Sequence, residues 1–205
     1  MLRAGMAIES MPAAAPAVSA SGPEQGRWTY EDYLRLADDG NRYEVIEGVL
    51  YVAPAPNPRH QRRLLRLVTQ VDSVVRERHL GEIFISPIDV LMPGGTPVQP
   101  DVLFIASDNP AEIDEDHYIR GVPDLVIEVA SPSTAGYDRR EKQDLYARAG
   151  VREYWLVHPA DVTIEVLVLD PPHRAYRSLG VFLASSHLPT GVLGEVPFTV
   201  GELLA

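Results

Sequence analysis

The sequence predicts a mixed α/β domain, with a central, largely antiparallel sheet and a few helices on its faces. Three observations predict it. Short apolar runs of strand length recur at 83–91, 101–106, 124–130, 153–157, 162–169 and 175–183. A long segment from Asn57 to about His79 repeats apolar residues at spacings of three and four. A shorter helical segment, Arg139 to Ala149, falls between two of the strands.

Composition bounds what such a domain can do. The 205 residues suffice for one domain with a buried core, and 45% hydrophobic with 23% charged residues is ordinary for a globular chain. With no Cys, disulfides, zinc-thiolate sites and thiol catalysis are excluded, and a reducing cytoplasm is the expected location. No apolar run reaches the roughly 18 residues of a membrane span, so no membrane association is expected. The N-terminus lacks the basic-then-apolar pattern of a signal peptide. The net charge of −11 argues against a whole-surface grip on nucleic acid but leaves room for a local basic patch. Of the 18 basic residues only Lys142 is a lysine.

Residues 1–26, rich in Ala, Pro, Ser and Gly, read as a disordered tail, and 27–205 as the single domain. Thr29 is placed to cap a short helix through Tyr33, Leu34 and Ala37. Arg42 to Val52 alternates apolar and polar residues around Glu47-Gly48, a hairpin signal, and Pro54, Pro56 and Pro58 end it. Asn57-Pro58 starts the long helix, with Asn as N-cap and Pro in the first turn. Leu64, Leu67, Val68, Val71 and Val75 form its apolar stripe. Arg59, Arg62, Arg63, Arg66, Arg76 and Arg78 crowd the opposite face, and Gly81 is read as its stop. The acidic stretch 106–122 reads as a loop. For the second helix, Asp138 is the N-cap, Glu141 completes a capping box and Gly150 supplies the residue that ends it.

The chemistry begins with Glu128, inside the apolar run Leu125-Val126-Ile127-Glu128-Val129-Ala130. A carboxylate in a strand buried on both faces needs a cation nearby, either a metal or a basic side chain. A structural ion pair is the plain alternative. If 101–106 and 124–129 pair as antiparallel strands with opposing residue numbers summing to 229, Asp101 faces Glu128. Opposed Cβ atoms lie about 5 Å apart, close enough to share one hard divalent ion such as Mg²⁺. Asp124 lies four residues before Glu128, about 13 Å along the strand, too far for the same metal. It reads as a strand-start residue. Lys142 shares the inward helix stripe with Leu145, Tyr146 and Ala149, and a lysine amine, unlike a guanidinium, can exchange a proton. An ion pair to Glu128 is the alternative. Weaker candidates are Glu44, as a third acidic contact through a water or as a surface carboxylate, and His60, in a helix first turn that favours anions. Gln99 is weaker still, as a group that orients a water.

Taken together, Tyr43 to Gly48, Pro58-Arg59-His60-Gln61, Gln99-Pro100-Asp101-Val102, Pro123 to Thr134, Lys142 to Tyr146 and Gly150 to Trp155 carry a resemblance. Over about residues 28–200 the chain resembles the Uma2 family, a branch of the PD-(D/E)XK nuclease superfamily. The resemblance implies a restriction-endonuclease-like fold, a mixed sheet flanked by helices. It implies that Asp101, Glu128 and the carbonyl of Val129 hold Mg²⁺, with Mn²⁺ as a substitute, and that Lys142 completes the site. One departure stands out: two residues after the acid, where the superfamily has its lysine, this chain has Ala130.

The expected function is hydrolysis of DNA phosphodiester bonds, with Arg59, Arg62, Arg63 and Arg66 holding backbone phosphates. The alternatives are a nuclease-fold module that binds nucleic acid or a protein without cutting, and a purely structural Asp–Glu–Lys network. Under the last, Lys142→Met is tolerated. A homodimer is expected, with Val162 to Leu169 and Val181-Phe182-Leu183 as candidate pairing surface and the acidic 107–122 loop outside the interface.

Overall fold

In the computed structural model, which describes residues 15–17, 21–36, 39–53, 57–93, 96–130 and 141–204, a six-stranded mixed sheet carries the fold. Its strands lie in the order β13 (Ala175–Phe182), β12 (Thr163–Asp170), β11 (Glu153–His158), β10 (Leu125–Val129), β7 (Val102–Ala106) and β4 (Gly81–Ile85). All neighbours are antiparallel except β10 and β11. A parallel pair cannot be closed by a tight turn, and the connection between these two carries helix α3 (Gln143–Ala149). Leu125 pairs with Phe104, Val126 with Leu103 and Ile127 with Val102, the register derived from the sequence. One step further, Asp101 lies across from Glu128.

Strand alternation sends neighbouring residues to opposite faces, and helices cover both. Helix α2 (Pro58–Glu77) buries Leu64, Leu67, Val71 and Val75 against Val102, Phe104, Leu125 and Ile127. Helix α3 buries Leu145 and Tyr146 against Leu103, Val126, Tyr154 and Leu156 on the other face. Strand β10 is therefore buried on both sides, which is why its sequence is an unbroken apolar run around Glu128.

Two smaller sheets flank this frame. One has the order β1 (Ala15–Pro16), β3 (Val49–Ala53), β2 (Arg42–Ile46). Its hairpin turns at Glu47 and Gly48, with φ of 51° and 73°, the left-handed pair that a two-residue hairpin loop requires. The other has the order β6 (Thr96–Val98), β5 (Asp89–Met92), β9 (Tyr118–Arg120), β8 (Glu112–Ile113). Helix α1 (Tyr30–Tyr33) opens with the expected Thr29 cap, reciprocated by Asp32, and α4 (Val200–Leu204) closes the described chain. No helix among the described residues is long and apolar enough to cross a membrane.

Several expectations are corrected. The tail is structured in part: β1 pairs with β3, Ala17 is buried, and Gln25 hydrogen-bonds Ala17 and Leu50. The run 83–91 is two strands, separated around Pro87, which has no N–H for a ladder. The acidic 106–122 stretch contains β8 and β9, because Ile119 is fully buried amid the polar residues. His79, with φ 54°, is the left-handed residue after α2, whereas Gly81 begins β4. A Cβ on Gly81 would collide with the Ile105 carbonyl oxygen, so only glycine fits. Strand β12 is paired on both sides, which withdraws residues 162–169 as a self-pairing surface. Asp138, Arg139 and the segment Ser131 to Thr134 lie outside the described residues. Glu141 precedes α3, and its buried Oε2 has no hydrogen-bond partner among the described residues.

Asp124 starts β10 as expected, and it also ties the sheet together. Its carboxylate accepts from Ala106 N (2.9 Å), Asn109 Nδ2 (2.7 Å) and Arg152 Nη1 (3.0 Å). Asp124→Ala is expected to cost about 3 kcal/mol, since buried donors lose a charged acceptor. Urea unfolding measures this, and the midpoint should fall with an unchanged slope.

Candidate active site

Six side chains converge where β7 begins and β10 ends. Asn57 caps α2 by accepting from Arg59 N (3.0 Å) and His60 N (2.9 Å), which seats His60 in the first turn. From there His60 Nε2 lies 3.5 Å from Asp101 Oδ1. Asp101 Oδ2 accepts from Val129 N at 2.8 Å, a side chain bridging two adjacent strands. On the α3 side, Lys142 Nζ lies 3.0 Å from Glu128 Oε1 and 3.0 Å from Glu44 Oε1. Tyr146 donates its hydroxyl to the same Glu128 oxygen at 2.7 Å. Glu44 Oε1 also accepts from Gln99 N at 2.9 Å.

The acids and the lysine are buried: Glu44, Asp101, Glu128 and Lys142 are 1%, 8%, 3% and 5% exposed. Among the described residues, three carboxylates thus share one ammonium and one imidazole. Burial pushes the Asp101 carboxyl up, but His60, Lys142 and the Val129 N–H outweigh it and hold the group below the usual carboxylate range. Burial, with the charges of Glu128 and Glu44, pushes the Tyr146 phenol well above its ordinary value, so it remains a hydrogen-bond donor.

Such a donor set suits a hard divalent cation. Among the described residues no three His, Asp or Glu side chains already surround one point as ligands. Mg²⁺ does not need them, because it commonly takes one or two carboxylates and completes its shell with water. Asp101 and Glu128, with Val129 beside them, are the candidate pair here.

The remaining candidates sort themselves by position. Glu44 is neither a surface carboxylate nor remote; it anchors Lys142. Arg59, Arg62 and Arg66 are exposed on α2 and Arg63 half-buried, and among the described residues none of the four side chains makes an ion pair. The Gln99 side chain points elsewhere, to Asp89, Tyr33 and Arg42. Asp124 stands at the far end of β10. Tyr146 is the residue the sequence reading did not place in the site, although its i,i+4 spacing from Lys142 sets both on one helix face.

The double ion pair changes what Lys142→Met can be expected to do. Removing the ammonium leaves two buried carboxylates facing each other, so the change is not tolerated even in a purely structural network. The expected loss is about 3–5 kcal/mol. Adding Glu44→Gln and Glu128→Gln should recover most of it. Thermal or urea unfolding of the single and triple variants checks this.

Comparisons with known proteins give the family and the fold. Residues 30–199 match the Uma2 family, described as "Putative restriction endonuclease". A crystal structure of a "putative nuclease belonging to DUF820" from Anabaena variabilis superposes with a TM-score of 0.70 at 23% identity, covering 86% of this chain and 97% of that one. No curated protein matches the chain. The chain belongs to the Uma2 family and has a restriction-endonuclease-like fold.

Proposed function

We propose that this protein is a Mg²⁺-dependent endonuclease that hydrolyses DNA phosphodiester bonds. The observation that carries the proposal is that Asp101, one residue before β7, falls across from Glu128 when the strand register is continued and accepts from Val129 N at 2.8 Å, with Lys142 3.0 Å from Glu128, at the N-terminal end of an arginine-lined helix. Mg²⁺, or Mn²⁺ in its place, supplies Lewis-acid neutralisation of the scissile phosphate when bound. Asp101, Glu128 and the carbonyl of Val129 are the residues to hold it. Lys142 acts as a fixed positive charge next to the reacting group, where negative charge builds in the transition state. Glu44 orients Lys142, and His60 orients Asp101.

Substrate capture falls to α2. At a net charge of −11 the surface as a whole repels a polyanion, so Arg59, Arg62, Arg63 and Arg66 supply the local attraction. They contact phosphates and read no bases. The absence of Cys suits a reducing cytoplasm as its location.

A second reading is a nuclease-fold module that binds nucleic acid or a protein without cutting. Ala130, buried where the superfamily has its lysine, favours it. Supercoiled plasmid separates the two. With Mg²⁺ or Mn²⁺ the wild type is expected to nick or linearise it, and Asp101→Asn and Glu128→Gln to slow cleavage at least about 100-fold. Cleavage undiminished in both variants overturns the site.

Cutting both strands with one site per chain is simplest in a two-fold dimer. Strand β13 is the candidate edge, since it lies at one end of the sheet with Val181 exposed and Leu183 exposed just beyond it. Light scattering at micromolar concentration is expected to give twice the 22.6 kDa chain mass. A mass near one chain removes the dimer.

A further inference from the structure

The geometry points to Tyr146 as a positioning residue that holds the Glu128 carboxylate for the metal, an inference that rests on the metal-dependent reading above. Its hydroxyl and the Lys142 ammonium donate to the same atom, Glu128 Oε1, at 2.7 and 3.0 Å. Two donors on one oxygen, from residues one helical turn apart, set the rotation of the carboxylate about its last torsion. A single donor would leave that torsion soft.

The phenol oxygen is itself held in place. The Tyr146 ring lies 5.5 Å from Tyr154, tilted by 59°, and Tyr154 stacks on Tyr176 at 5.8 Å and 30°. Tyr176 closes the column by donating its hydroxyl to Val151 O at 3.0 Å. Tyr154 sits on β11 directly beside Val126 of β10, two residues before Glu128. The ring that steers the carboxylate is thus packed on the same strand pair that carries it, so hydroxyl and carboxylate keep one spacing.

A purely structural role for the hydroxyl has an obvious form, and the same column displays it. Tyr176 is satisfied by a backbone carbonyl. Tyr146 instead uses a buried carboxylate that a lysine already serves. Groups that hydrogen-bond metal ligands in this way commonly set metal affinity by about 10–100-fold.

The test compares two phenol deletions in the intact protein. Tyr146→Phe and Tyr176→Phe each remove one hydroxyl from the same aromatic column and keep the ring. Calorimetric titration with Mn²⁺ reads binding without any need for cleavage, and thermal unfolding reads the fold. Tyr146→Phe is expected to weaken Mn²⁺ binding about 10–100-fold, while Tyr176→Phe leaves it at the wild-type value with a comparable, small fall in Tm. Equal Mn²⁺ affinity in Tyr146→Phe and wild type overturns the assignment and leaves the nuclease reading standing. Equal weakening in both variants also overturns it, since the effect then belongs to the column and not to the contact with Glu128. A Tyr146→Phe chain that does not fold while Tyr176→Phe does assigns the hydroxyl to the fold and overturns it as well. Wild-type protein that takes up no Mn²⁺ removes the metal-dependent reading and this inference with it.

Discussion

A lysine ammonium buried between Glu44 and Glu128, 3.0 Å from each, is the contact on which the arrangement depends. It draws together three parts of the chain that are distant in sequence: strand β2, strand β10 and the start of α3. Buried carboxylates exist only where something offsets their lost hydration. Without Lys142, Glu44 and Glu128 repel, and the hairpin that carries Glu44 loses one of the polar contacts, beside that to the Gln99 N–H, that hold it at this point. Asp101 is tied in separately, through His60 and the Val129 N–H. The site is thus two linked anchors, one served from each helix.

That division follows the layers. Alternation along β7 and β10 gives α2 one set of apolar residues and α3 the other, so each helix is fixed by its own packing. Both helices then begin at the same end of the sheet, where His60 and Lys142 meet the acids. Hydrophobic contact orients the helices, and the polar groups at their first turns are delivered as a consequence. The parallel pairing of β10 and β11 is part of this, because the crossover it demands is what carries α3 across the sheet.

Charge is distributed with similar economy. The chain is strongly acidic, yet the arginines of α2 gather on its exposed side, on the helix whose first turn carries His60 to the buried acids. Asp124, buried at the other end of β10, is offset by Arg152 and by two N–H donors, and remains structural.

Much of this was legible in the residues themselves. The capped helix at Asn57-Pro58, the Glu47-Gly48 hairpin and the doubly buried strand around Glu128 are local signals of period and turn chemistry. The register that sets Asp101 against Glu128 follows from the placement of two apolar runs around one loop. Alternation alone could not say whether Glu44 faced water or the core, since that depends on what packs against β2. Nor did it assign Tyr146, because an inward tyrosine looks like any large apolar residue until its hydroxyl meets an acceptor from another strand. Short strands in polar stretches, such as Tyr118–Arg120, and the pairing of the segment before Trp28 were also invisible. Their stability comes from neighbours far away in sequence and not from their own composition. What the sequence determined by itself was the set of elements and the acids that needed a cation. Only the tertiary structure decided which cation each acid received, because long-range packing sets the few ångströms on which ion pairs and hydrogen bonds depend.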